Sequence, residues 1–229
     1  MKKILFLSFL IAIVSTESYS APVNNTENNF NWYVTGRAEL SLMNWTNKYS
    51  SDFPGADQGF NEDKYSFEPL FGANLAVGAR FYDVWRTDLE IGYLGKYEDK
   101  DNSTEFSFAV PYILVNGYYD FYQGFYAGLG VGTAITIKTM DYEDFISGGR
   151  TKTSVYPMGA FMLGYSKNMG DNLFLDLRYR LSGFYAGSQT RYIQYINESE
   201  PDVVRDAFVE NKIGFVLDNS FSIGLRYEF

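Results

Sequence analysis

The chain has 229 residues, a formal net charge of −9, no cysteine and no histidine. Those two absences exclude disulfide staples, thiolate chemistry, Ser–His and Asp–His hydrolytic machinery, and His- or Cys-ligated metals. The acidic balance argues against nucleic acid as a partner and leaves no polybasic patch for a membrane surface.

The first twenty residues read as a leader. Lys2 and Lys3 form a positive start, an apolar run follows from Ile4 to Val14, and Ser18 and Ser20 are small residues before a cut at Ala21. This is the pattern of a secretory signal peptide over 1–20; the competing reading is an N-terminal core helix. Without it, 17 basic side chains stand against 27 acidic ones, a net charge of −10. Residues 21–29 form a short periplasmic lead-in. No later apolar run approaches the roughly 20 residues of a spanning helix. An exported chain with 20 Tyr, 20 Phe and 21 Gly then has two architectures open to it, a soluble β-sandwich or an outer-membrane β-barrel.

Eight segments alternate with the period of a strand. In residues 31–45, Trp32, Val34, Gly36, Ala38, Leu40 and Leu42 share one face, with Thr35, Arg37, Glu39 and Ser41 on the other. Residues 65–81 set Phe71, Ala73, Leu75, Val77, Ala79 and Phe81 against Glu68, Asn74 and Arg80. Residues 85–97 set Trp85, Leu89, Ile91 and Tyr93 against Arg86, Asp88 and Glu90. Residues 105–119 change parity between Phe106, Phe108, Val110 and Ile113, Val115. Pro111 lies at the change, which predicts a β-bulge at Pro111–Tyr112, with Asn116 on the polar side. Residues 125–138 contain "YAGLGVGTAIT", where Gly128, Gly130 and Gly132 alternate with Leu129 and Val131. A phosphate cradle has a different spacing and opens a helix; here the glycines are predicted to face a lumen and clear room for large Arg and Tyr side chains. Residues 154–166 alternate Phe161, Leu163 and Tyr165 with Ala160, Met162 and Gly164. Residues 172–184 set Leu173, Leu175, Leu177, Tyr179 and Leu181 opposite Asp176, Arg178 and Arg180. Residues 220–229 set Phe221, Ile223, Leu225, Tyr227 and Phe229 opposite Ser222, Gly224, Arg226 and Glu228.

Connections after the second, fourth and sixth segments are short (82–84, 120–124, 167–172), and the other four are longer and polar. That asymmetry is what a transmembrane barrel needs. The expectation is an all-β chain. It is an eight-stranded antiparallel up-and-down transmembrane β-barrel over 30–229, with short periplasmic turns and four longer extracellular loops. Residues 203–217 are left open between a short helix, a loop hairpin and an extension of the eighth strand. A lumen of eight strands is just wide enough for side chains. The polar faces supply both signs for it: Arg37, Arg80, Arg86, Arg178, Arg180 and Arg226 against Glu39, Glu68, Asp88, Glu90, Asp176 and Glu228. Asp88 and Glu90 read as ion-pairing partners sharing a strand face with Arg86. Aromatics near the strand ends read as two girdles. Trp32, Tyr33, Tyr82, Trp85, Tyr118, Tyr119, Phe121, Tyr122, Phe125, Tyr227 and Phe229 form one. Trp45, Tyr65, Phe67, Tyr97, Phe106, Phe108, Tyr156 and Phe184 form the other.

With these features the chain resembles the small outer-membrane β-barrels, the family of opacity-type surface proteins and OmpA-like transmembrane domains. "ANLAVGARFYDVWRTDLEIGYL", "LVNGYYDFYQGFYAGLGVGTA" and "FMLGYSKNMGDNLFLDLRYR" are similar to its hairpins, and "IGLRYEF" to its C-terminal assembly signal of Ile223, Leu225, Tyr227 and Phe229. The resemblance implies the outer membrane of a Gram-negative bacterium, contact with its lipid, and insertion by the assembly machinery through the last strand. It also implies surface exposure of the four loops, without implying one function.

No enzyme, cofactor or metal is expected. "EDKDNST" and "MDYED" hold enough carboxylates for weak Ca²⁺ binding, though solvated acidic loops are the preferred reading. Two functions stay open. One is a surface-interaction (adhesin- or antigen-like) or envelope-structural protein, expected as a monomer. It would engage an extracellular ligand through Tyr49, Phe53, Phe60, Tyr142, Phe145, Tyr192 and Tyr195. The other is a narrow, porin-like channel gated by the luminal Arg–carboxylate network.

Overall fold

The computed structural model describes residues 30–52, 59–101, 104–142, 151–197 and 200–229. The predicted leader and lead-in therefore lie outside the described residues. Eight strands follow one another: β1 (Phe30–Asp52), β2 (Gly59–Phe81), β3 (Trp85–Asp101), β4 (Thr104–Tyr122), β5 (Phe125–Tyr142), β6 (Thr151–Gly170), β7 (Leu173–Asn197) and β8 (Glu200–Glu228). Each pairs antiparallel with its neighbours, and β8 returns to β1, closing the sheet. At one end the connections are tight. Asp171–Asn172 (φ 46° and 63°) and Gln123–Gly124 (φ 43° and 90°) take the left-handed conformation at both central positions. Turns of that hand follow the right-handed strand twist and so close two-residue hairpins.

The other end is built from strand rather than loop. A tilted strand crosses a bilayer in about 9–11 residues; β7 has 25 and β8 has 29. Residues 203–217 are thus an extension of the eighth strand, the third of the alternatives left open. Paired backbone continues to the described ends of the long connections, as in Ser51↔Gly59 and Asn197↔Glu200.

Two ladders stop early. The β2–β3 pairing ends at Ala73↔Tyr93, and the β6–β7 pairing at Met158↔Phe184. Beyond those points the wall consists of two four-stranded sheets, β7-β8-β1-β2 and β3-β4-β5-β6, each internally paired to its far end. Pro69 on β2 and Pro157 on β6 lie just past the last pairs, where a residue without an N–H is tolerated on an edge. Side chains close the second seam instead: Lys138 Nζ donates to the Gly187 carbonyl (2.5 Å) and Lys152 Nζ to that of Ser188 (2.7 Å).

The bulge lies elsewhere than the sequence suggests. Pairing shifts between Tyr93 and Lys96, so the extra residue belongs to β3, at Leu94–Gly95. Gly95 has φ 123°, which a glycine adopts without steric cost. β4 keeps one parity throughout. Phe106, Phe108 and Val110 point inward with Tyr112, Leu114, Asn116 and Tyr118, while Ile113 and Val115 face out. The apparent parity change in β4 is a change in what fills the lumen, from polar to apolar.

Glycines fit the inner face to its tyrosines. A Cβ on Gly128 would stand 2.4 Å from the Tyr118 ring, on Gly92 the same distance from Tyr112, on Gly164 2.2 Å from Tyr126, and on Gly78 2.6 Å from Tyr33. Each luminal tyrosine lies over a glycine of a neighbouring strand. Gly130 makes the same room for the Asn116 amide (2.3 Å), and a Cβ on Gly132 would meet the Ile113 carbonyl oxygen at 2.0 Å. Gly159, by contrast, faces outward with nothing within 4 Å of a Cβ. Gly132→Ala is therefore expected to cut the yield of folded barrel several-fold, read as heat-dependent gel mobility after refolding into detergent. Gly159→Ala should leave it unchanged.

Candidate functional site

The outward face of the barrel is aliphatic. Leu75, Val77, Leu89, Ile91, Val115, Leu129, Val131, Ile223 and Leu225 are all about half exposed or more, and Phe71 reaches 80 %. The inward face of the same strands carries Arg37, Glu39, Arg86, Asp88, Glu90, Asp176, Arg178, Arg180 and Arg226, none more than 4 % exposed. Water would reject this distribution, which leaves a broad apolar belt uncovered. Hydrocarbon accepts it, because a closed sheet satisfies every backbone group internally. The chain is an outer-membrane-type β-barrel.

Comparison with known proteins gives distant likenesses. No family model matches the chain. An uncharacterised protein of Brucella suis is 27 % identical over 245 residues, covering 86 % of this chain and 84 % of its own. Among solved structures, Neisserial surface protein A is 19 % identical with a TM-score of 0.48, covering 86 % of this chain and 97 % of that one. OprG of Pseudomonas aeruginosa is 12 % identical with a TM-score of 0.46, covering 88 % and 96 %.

The lumen has two layers. The lower, towards the tight turns, is a charge network centred on Glu90. Arg178 grips both Glu90 oxygens (Nη1–Oε2 2.5 Å, Nη2–Oε1 3.0 Å), Arg180 Nη1 adds a third bond at 2.9 Å, and Arg37 Nη1 lies at 3.4 Å. The Tyr112 hydroxyl donates to the same carboxylate at 2.7 Å. Glu39 takes Arg180 and the Asn74 amide (2.7 Å). Asp176 accepts from Arg37 Nε (3.0 Å), Tyr126 (2.9 Å) and Ser166 (3.0 Å), with Arg226 at 3.7 Å. At the tight-turn mouth Arg80 bridges Asp120 (3.3 Å) and Glu228 (3.1 Å), and Arg226 Nε sits 3.0 Å from the same Glu228 oxygen without hydrogen-bond alignment. A buried unpaired ion is too costly to keep, and the network keeps few.

The pairing differs from the strand-face reading in three ways. Arg86 does not pair with its neighbours Asp88 and Glu90; its guanidinium reaches Asp120 on β4 (3.0 and 2.8 Å) and stacks on Tyr126, 4.5 Å from the ring centre. The Arg86 partner comes from the adjacent strand, whereas Arg178 and Arg180 of β7 find theirs on β3 and β1. Asp88 has only neutral donors, Asn116 (2.8 Å) and Tyr33 (3.1 Å). Glu68 is half-buried in the upper layer and forms no ion pair among the described residues. Asp120, Asp218, Lys138 and the identities of the four luminal tyrosines were missed by the sequence reading, which expected the β5 glycines to clear room for tyrosines without naming them. The Gly–Tyr complementarity between neighbouring strands is the signal that could have found the tyrosines.

The upper layer is apolar. Met43, Trp45, Leu70, Leu94, Phe106, Phe108, Val110, Met158, Phe184, Ile213 and Val216 form one cluster inside the strands, with Tyr65 and Tyr97 packed on it. The expected outer girdle is therefore mostly core. Trp45, Phe106, Phe108 and Phe184 face the lumen because the two sheets above the seams need an apolar filling, and of that group Phe67 alone is well exposed. In the lower girdle Tyr33 and Tyr118 are luminal, while Trp32, Tyr82, Trp85, Tyr119, Phe121, Tyr122, Tyr227 and Phe229 face out. The terminal signal residues Ile223, Leu225, Tyr227 and Phe229 line the outer face of β8, and the Phe229 amide donates to the Trp32 carbonyl (2.9 Å) at the closing seam. Of the proposed loop contacts, Tyr49 lies on β1. Phe53 and Phe145 lie outside the described residues, as do the side chains of Phe60, Tyr142, Tyr192 and Tyr195. Most side chains of the two acidic segments lie outside them too.

Removing the hub carboxylate leaves three guanidinium groups facing one another. Glu90→Ala is expected to destabilise the barrel by about 3–5 kcal/mol, and Asp88→Asn, which loses no ion pair, by no more than about 1 kcal/mol. The midpoint of heat- or urea-induced loss of the compact gel form measures both.

Proposed function

We propose that the protein is a rigid outer-membrane scaffold that carries its long strand extensions outside the cell as an interaction surface, adhesin- or antigen-like, or as part of envelope structure. The observation that carries this reading is the filled lumen. The charge network occupies the lower half, the aromatic–aliphatic layer occupies the upper half, and the two meet where Asp218 contacts Ser182 (3.0 Å) and Ser220 (2.6 Å) beneath Met43 and Trp45. A solute crossing the barrel would have to break both layers, so the packing weighs against a narrow gated channel. The strands meanwhile continue far past the bilayer's needs, which suits presentation of surface rather than permeation. In this reading the belt contacts outer-membrane lipid, the outward row of β8 serves the assembly machinery, and the chain acts as a monomer.

Planar-bilayer recording of refolded protein is expected to give no unitary steps. Reproducible steps from the wild-type barrel, altered by Arg226→Ala, would overturn the scaffold reading in favour of the channel. Shortening the connections at 53–58 and 143–150 one at a time should spare the heat-dependent mobility while abolishing binding to whatever surface the intact protein recognises.

A further inference from the structure

Both early-ending ladders leave free strand edges, and the two seams differ in what faces them. Along the second, cations close the gap: Lys138 and Lys152 donate to successive carbonyls of β7, those of Gly187 and Ser188. Along the first, β2 from Gly72 back to Gly59 and β3 from Leu94 to Asp101 have no ladder partner on the facing side. A row of unpaired N–H and C=O groups is a template for another strand, and it needs an open edge rather than a cavity. The edge of β2 is open. Asn61 and Asp63 belong to its inward row, opposite Tyr49 and Asn47, yet both are exposed, as are Glu62, Lys64 and Ser66.

The charge at this first seam is opposite in sign to that at the second. Asp63 and Glu68 lie on the inward row of β2, and Asp99 lies on that of β3. The rings of Tyr65 and Tyr97 meet across the seam at 5.4 Å. The three carboxylates converge on that pair. Burial and, after it, the charges of Asp63, Asp99 and Glu68 push the Tyr65 hydroxyl pKa up. Asp63, Glu68 and Asp99 form no ion pair among the described residues. Lys64 and Lys96 point outward and are engaged by Glu62 (3.9 Å) and Glu98.

We propose that the first seam receives an extended, lysine- or arginine-bearing segment of another protein, added as a strand to the free edge of β2. The second seam shows the chemistry on this same chain, where ammonium groups close a parted ladder. At the first seam the carboxylates are in place and, among the described residues, the cations are not, so they come with the partner. Backbone pairing to β2 supplies affinity, and side chains at alternate positions of the added strand meet the acidic inward row. Tyr65 and Tyr97 offer ring faces to the same cations. The inference rests on the interaction-surface reading, with the long strands outside the cell.

A fluorescent peptide of about nine residues, alternating lysine and threonine, is titrated into the refolded barrel in neutral detergent, with anisotropy as the readout. Saturable binding is expected. Asp63→Asn with Asp99→Asn should weaken it about fivefold or more while sparing the heat-dependent mobility. A lysine–proline peptide of equal charge, which cannot hold a ladder, should bind at least about tenfold more weakly, and a glutamate–threonine peptide not at all. Equal binding of the lysine–proline peptide or of spermine overturns strand addition in favour of a charged surface alone. Unchanged affinity in the double variant places the peptide elsewhere and overturns the site. Peptide-free barrel that cross-links to itself through β2 gives the edge to a second copy instead. A flat titration in samples that keep their mobility overturns the strand site and leaves the scaffold standing, whereas unitary steps in planar-bilayer recording are the separate failure of the scaffold reading.

Discussion

Charges enclosed in a closed, narrow sheet cannot reach bulk water, and the rest of the structure follows from how they are neutralised. In a lumen of low dielectric an isolated guanidinium or carboxylate would unfold the barrel or lose its charge. Here Glu90 draws Arg37, Arg178 and Arg180 to one point, and Asp176, Glu39, Glu228 and Asp120 collect the remainder. Those bonds join β1, β3, β7 and β8 across the interior. They do for the lower half what an apolar core does for a soluble domain, and they make its shape a single one.

The upper half solves the same problem differently. Once the β2–β3 and β6–β7 ladders end, two sheets face each other much as the halves of a sandwich do, and the space between them is filled with aromatic and aliphatic side chains. The molecule thus combines the two architectures that its composition first left open, a polar-cored barrel below and an apolar-cored pair of sheets above. Such a plug supports the proposed scaffold over a channel.

Much of this was legible in one dimension. The period-two alternation of residues such as Val34, Arg37 and Glu39, or Leu177, Arg178 and Arg180, assigns faces without any knowledge of neighbours, because a strand's side chains must alternate. Short turns beside long connections gave the antiparallel order and the even strand count. In β4 the same rule was applied to the wrong feature. A face change was inferred from hydrophobicity, when Phe106 and Phe108 are apolar residues on the inner face and the true bulge is at Gly95, one strand away. The girdle assignment of Trp45 and Phe184 failed for the same reason: alternation says which side a residue takes but not what that side contains at each height.

Partner choice was beyond the sequence altogether. Arg86 lies two residues from Asp88, yet its carboxylate is Asp120, and Glu90 meets arginines 53, 88 and 90 positions away. The pattern of residues by itself determined a closed eight-stranded sheet with charges inside and aliphatics outside, since each of those follows from local alternation and from the cost of open edges in lipid. Only the tertiary structure decided which charges meet, where the ladders part and which buried amides are left unpartnered. Register and strand tilt bring those groups together, and both are properties of the closed barrel rather than of any one segment.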